Sequence, residues 1–110
     1  MDFELNGDQK EFQNVMRDFV NKEINPVAME LEKSGEYPTK IVQGLKDLGL
    51  FGMTVPEEYG GVGVDFRYNA IVNEEVCRAG CSGLGWTLHS DIAVPYLVRY
   101  GSEEQKQRYL

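Results

Sequence analysis

LFGMTVPEEYGGVGVD, Leu50 to Asp65, is the stretch on which the fold turns. Two apolar runs meet at Pro56, and Gly60, Gly61 and Gly63 crowd the end of the stretch. Proline removes a backbone donor and glycine carries the largest entropy cost in a helix, so no regular helix crosses it. It reads as an extended, partly buried connection that turns at Pro56 and again at Gly60–Gly61. On both sides the apolar spacing changes to that of a helix.

Upstream, NGDQKEFQNVMRDFVNKEI places Phe12, Val15, Met16, Phe19 and Val20 on one helical face. Asn6 can cap that helix, and Asp8 suits the positive end of its dipole. Pro26 interrupts it and opens a second, short helix that stops at Gly35. Pro38 opens a third, with Ile41, Leu45 and Leu48 on its inner face and Gly49 as its stop. Downstream, Asp65 can cap FRYNAIVNEEVCRAG, where Tyr68, Ile71, Val72 and Val76 recur at helical spacing before Gly80. Ser82 is expected to start the next helix, GLGWTLHSDIAVPYLVRYG, which Gly101 ends and Pro95 should kink. Ser102-Glu103-Glu104-Gln105 is a capping box for a last helix. The sequence thus predicts an all-α, up-and-down bundle of five to six helices, residues 1–110 forming one domain, with no strand and no repeat.

Composition bounds the function. Of the residues, 42% are hydrophobic and 26% charged, which is globular rather than disordered. The balance of 11 basic to 18 acidic residues, net −7, argues against nucleic acid, whose phosphates need clustered Lys and Arg. No apolar run is long enough to span a bilayer. The acidic start, MDFELNGDQKEF, lacks the pattern of a secretory signal, so the expected compartment is the cytoplasm, with Cys77 and Cys81 as free thiols.

Most chemistry-bearing residue types fall short of a site. Cys77, Cys81 and the lone His89 lack the number and spacing of a metal centre. His89 with Ser82 or Ser90 lacks an orienting acid and oxyanion donors. Gly60, Gly61 and Gly63 lack the strand and lysine of a phosphate loop. What remains is one helix. At regular helical spacing Trp86, His89, Ser90 and Ala93 share a face, mixed in character, while Leu84, Leu88, Ile92 and Tyr96 form an adjoining face that reads as core. A second, semi-polar stripe with small residues implies a groove to line.

The run VPEEYGGVGVD, then the Glu74-Glu75 pair in a helix, then CSGLGWTLHS, then YGSEEQKQRYL, resembles in order and spacing the N-terminal helical domain of acyl-CoA dehydrogenases, across essentially the whole chain. CSGLGWTLHSDI is more similar to the long-chain type. The resemblance implies a flavoenzyme that removes hydrogens from the α and β carbons of an acyl-CoA, using FAD and passing electrons to an electron-transferring flavoprotein, usually as a homo-oligomer. The catalytic base and flavin-binding motifs of the family lie in its β-domain and C-terminal bundle, so no residue here is expected to be catalytic, to bind the cofactor or to hold a metal. The helix from Ser82 would wall the acyl-tail cavity, with Trp86, His89, Ser90 and Ala93 as substrate-contacting positions; an imidazole there is a departure that points to a branched, aromatic or steroid-like tail as well as a straight one. The last helix has a start signal and no stop, so the chain is expected to be part of a longer enzyme, inactive and self-associating alone. The other reading is a standalone helical binding module without flavin.

Overall fold

The computed structural model describes residues 1–110. It contains six α-helices and no strand: α1 Gly7–Phe19, α2 Ala28–Ser34, α3 Thr39–Asp47, α4 Phe66–Arg78, α5 Val94–Tyr100 and α6 Glu103–Tyr109. Local chemistry explains the boundaries. Asn6 caps α1 reciprocally with Gln9: the Gln9 N–H donates to Asn6 Oδ1 at 2.9 Å, and the Asn6 N–H donates to Gln9 Oε1 at 3.0 Å. Ser102 and Gln105 do the same for α6. Asp65 caps α4, accepting from the Arg67 N–H. Gly35 and Gly49 end α2 and α3 in the left-handed conformation that the sequence requires of them.

The connection 50–65 has more internal bonding than an extended strand. Short 3₁₀ turns occupy Leu50–Gly52 and Glu57–Tyr59. The N–H groups of Gly60, Gly61, Val62, Gly63 and Val64 donate to Glu57, Pro56, Gly52, Val55 and Met53 carbonyls, folding the stretch back on itself. Leu50, Met53 and Val55 are buried beneath it. With every one of those N–H groups committed, the glycines form no phosphate cradle.

Two π turns, Val20–Ile24 and Leu88–Ala93, each end two residues before a proline, Pro26 and Pro95. A proline ring in a regular helix clashes with the carbonyl four residues earlier and offers it no donor. Widening the preceding turn moves that carbonyl aside; the Val94 N–H then reaches back to the His89 carbonyl. After Pro26 the helix ends, whereas after Pro95 it continues as α5.

The core is one cluster in which Met16, Val20 and Ile24 from α1 and its π turn meet Ile41, Val42 and Leu45 from α3, Leu50, Met53, and Val72 from α4, with Leu84 and Trp86 closing one end. Each fully buried aliphatic side chain there contributes roughly 1.5–3 kcal/mol. α1 packs along α4, and Leu50–Gly52 packs against the Leu88–Ala93 turn. Val15 and Leu48, expected inside, are exposed: each sits at the edge of its stripe, where the other members already fill the contact. The radius of gyration, 14.8 Å, exceeds the ~13 Å of a typical chain of this length because α6 buries no residue and extends from the bundle.

Candidate functional site

The helical rod from Trp86 to Tyr100 does not begin at Ser82. Ser82–Leu84 is a separate 3₁₀ turn, Gly85 follows at φ 67°, and the rod starts at Trp86. The Ser82 hydroxyl instead contacts the Glu32 carboxylate.

The π turn resets the faces of this rod beyond it. Buried positions are Trp86 (2% exposed), Ser90 (3%) and Val94 (8%), each four residues from the last. In a regular α-helix, a spacing of four drifts by about 40° per step; a wider turn keeps such positions aligned. The row Leu88, Ile92 and Tyr96 points outward, 64%, 48% and 65% exposed, and Tyr100 extends it. With Trp86 facing the core, regular spacing already puts Leu88 and Ile92 on the far side, and the wide turn adds Tyr96 to them while drawing Val94 inward. This corrects the expectation of a core face there; of that set only Leu84 is buried. Between the two rows, His89 and Ala93 lie on the flank toward Phe51, and Thr87 and Asp91 on the flank toward α4.

The four expected wall residues therefore separate. Trp86 lines a groove of about 440 Å³ with Asn73, Val76, Cys77, Leu84 and Leu88. Ser90 lines another of about 270 Å³, with Val64, Phe66, Asn69 and Val94. His89 and Ala93 are exposed on the rod's outer half. Leu88, Ile92 and Tyr96, expected in the core, join them on the surface. Pro95 is the signal in the sequence for the wide turn that puts Tyr96 there.

The His89 and Phe51 rings pack in a T shape, centroids 4.9 Å apart at 85°. This partial desolvation lowers its pKa, favouring the neutral imidazole. His89 Nδ1 lies 3.2 Å from Ser90 Oγ. The pair is no nucleophile: Ser90 is buried, and the neighbouring Asp91 carboxylate is taken by Asn69 and Asn73. Burial, and then Glu32, push the Cys81 thiol above its usual range, so it is a poor thiolate. No three His, Cys, Asp or Glu side chains converge, and no helix is long and apolar enough to cross a membrane.

Comparison with known proteins matches this architecture. Residues 6–110 fit the family described as acyl-CoA dehydrogenase, N-terminal domain. The long-chain specific acyl-CoA dehydrogenase of Sus scrofa mitochondria is 39% identical over 99 residues, 90% of this chain and 23% of that protein. The crystal structure of an acyl-CoA dehydrogenase from Geobacillus kaustophilus superposes with a TM-score of 0.90 at 36% identity, covering 99% of this chain and 29% of the other. A chain from work on the electron transferring flavoprotein of Acidaminococcus fermentans superposes at 0.88 with 30% identity, covering 100% and 29%. The chain spans about a quarter of the length of the relatives it matches. All six helices, the glycine-rich turn and the paired glutamates fall inside the matched span, and the chain belongs to the acyl-CoA dehydrogenase family through its N-terminal domain.

Proposed function

We propose that these residues are the N-terminal helical domain of an FAD-dependent acyl-CoA dehydrogenase, an oxidoreductase that introduces a double bond between the α and β carbons of an acyl thioester. Their part is to wall the acyl tail. The observation that carries this reading is the outward apolar row Leu88, Ile92 and Tyr96, flanked by His89 and Ala93. Such a row favours an apolar partner, and an alkyl tail buried against it gains roughly 0.8 kcal/mol per CH₂. Ala93 leaves depth beside the row, and neutral His89 adds a flat, weakly polar edge. Trp86 and Ser90 support the wall from behind.

FAD is implied by the family, and the groups present do not fit it by themselves. The glycine-turn N–H groups are all committed internally. When bound to the whole enzyme the flavin supplies hydride acceptance; the residues of this chain orient the tail and exclude water. Alone, the 110 residues are inactive, and electron-transferring flavoprotein, like self-association into an oligomer, is a partner of the whole enzyme.

The test is dye-linked dehydrogenation of a series of acyl-CoAs by the complete gene product, with and without Ala93→Phe. A flavin spectrum, turnover, and a shift of A93F toward shorter tails support the reading. Binding of acyl-CoA with no flavin and no turnover favours a helical binding module instead.

A further inference from the structure

Asp91 sits inside the π turn and is gripped from α4 by two side chains one helical turn apart. Asn69 Nδ2 donates to Asp91 Oδ1 at 2.7 Å, and Asn73 Nδ2 donates to Asp91 Oδ2 at 2.5 Å. Thr87 Oγ1 donates to Asn73 Oδ1 at 2.6 Å, so the same asparagine holds the rod at two levels. Asn69 is itself buried. A π turn is intrinsically less favourable than an α turn and persists where its surroundings hold it. Pro95 supplies the backbone reason to widen; the clamp supplies the rotational reference. Relaxing the turn to regular α geometry would rotate the rest of the rod by about 100°, one residue's worth, and carry Ala93 and Tyr96 off the outer face.

We propose that Asn69, Asn73 and Asp91 are positioning residues that lock the wide turn in register and thereby set which side chains meet the acyl tail. The role in specificity rests on the acyl-wall reading above; the clamp itself does not. Both asparagines point donors at one carboxylate, so the lock depends on the pairing of a donor pair with an acceptor pair and can be reversed in sense.

His89, the only histidine in the chain, reports the register. Its C–H signals in NMR are expected to carry a ring-current shift from Phe51 4.9 Å away, and burial there lowers its pKa. N73D sets two carboxylates face to face; the His89 signals are expected to lose the ring-current shift and titrate nearer ~6.5. The swap N73D/D91N restores a carboxylate facing an amide, and both signatures are expected to return. Should N73D fail to fold, D91N, which sets amide donors against each other, carries the same readout. Unchanged His89 signals in a folded single variant, or no recovery in the swap, overturn the clamp. In the complete gene product, the single variant is expected to raise KM for the preferred acyl-CoA about tenfold, the equivalent of roughly two buried methylenes, with little change in kcat, and the swap to restore it. His89 signals that move while the acyl-CoA profile stays fixed overturn the wall reading and the specificity role with it.

Discussion

Arg17 on α1 holds Glu75 on α4 through two hydrogen bonds, Nη2 to Oε1 at 2.9 Å and Nε to Oε2 at 3.2 Å, although the Glu75 side chain is 0% exposed and Arg17 is 45% exposed. Arg78 Nε stands 3.6 Å from the same carboxylate. The contact raises the Arg17 pKa, through the hydrogen bond first and the charge second. It joins the two longest helices across the core, and only one partner had to leave water completely.

Glu75→Ala should therefore destabilise the protein by roughly 1.5–3 kcal/mol, the range for hydrogen bonds to a charged group. Glu74→Ala, on the exposed side of the same pair, should change stability by less than about 0.5 kcal/mol. Urea unfolding midpoints of the two variants separate these roles; equal, small effects would show that the buried pair does not hold α1 to α4.

A methyl group at Gly61 would stand 2.0 Å from the Val55 carbonyl oxygen and 2.4 Å from its Cβ. Backbone there cannot yield without breaking the Gly63 N–H to Val55 carbonyl bond. Gly61→Ala is expected to cost more than ~3 kcal/mol or to prevent folding. Gly83→Ala, with open space around it and no positive φ, should be neutral within about 0.5 kcal/mol. Circular dichroism melts of both variants check the contrast.

The depressed pKa of His89 has a consequence for stability. The native state holds this proton less tightly than the unfolded chain does, so the neutral form favours folding. That contribution is complete above about pH 6.5 and is lost as pH falls through 6.5 toward the native pKa. Phe51 and its turn, Leu50–Gly52, carry no titratable side chain, and the nearest carboxylate on the rod, Asp91, faces α4. His89→Gln should therefore lose less stability than wild type between pH 7.5 and 5.5. Parallel pH dependences of the two proteins would contradict the desolvated contact with Phe51.

The outward row tests how the domain treats water. Ile92→Ser should leave the melting temperature of the 110-residue chain nearly unchanged, because Ile92 is already half exposed. It should reduce binding of a hydrophobic dye and lower concentration-dependent association, the behaviour expected of an exposed apolar row. Val94→Ser, on the buried row two residues along, should instead destabilise by roughly 2 kcal/mol. Sedimentation and dye fluorescence alongside the melts distinguish the two rows.

Much of this molecule is legible in local signals. Asn6, Asp65 and Ser102 cap the helices that the sequence assigns to them, because a short side-chain acceptor beside unpaired N–H groups needs only local geometry. Gly35 and Gly49 stop helices where only a residue without Cβ adopts positive φ cheaply. The apolar part of the buried halves of α1, α3 and α4 follows from apolar spacing, apart from the stripe edges at Val15 and Leu48, whereas the buried Gln9, Asn69 and Glu75 do not. The reciprocal bond from Gln9 is also readable, three residues after Asn6.

The site helix is less legible, for a definite reason. Regular spacing assigns its faces at about 3.6 residues per turn, and the turn before Pro95 is wider. One altered turn rotates the positions beyond it, drawing Val94 inward and turning Ala93 and Tyr96 outward, while leaving the identity of every residue unchanged. Local pattern suffices to show that a helix runs through Trp86 to Tyr100, where its neighbours begin and end, and which family they belong to. The rotation of that helix is a tertiary property. It depends on Asn69 and Asn73 reaching Asp91 from another helix and on Phe51 receiving His89, contacts between residues distant in the chain that no local pattern records.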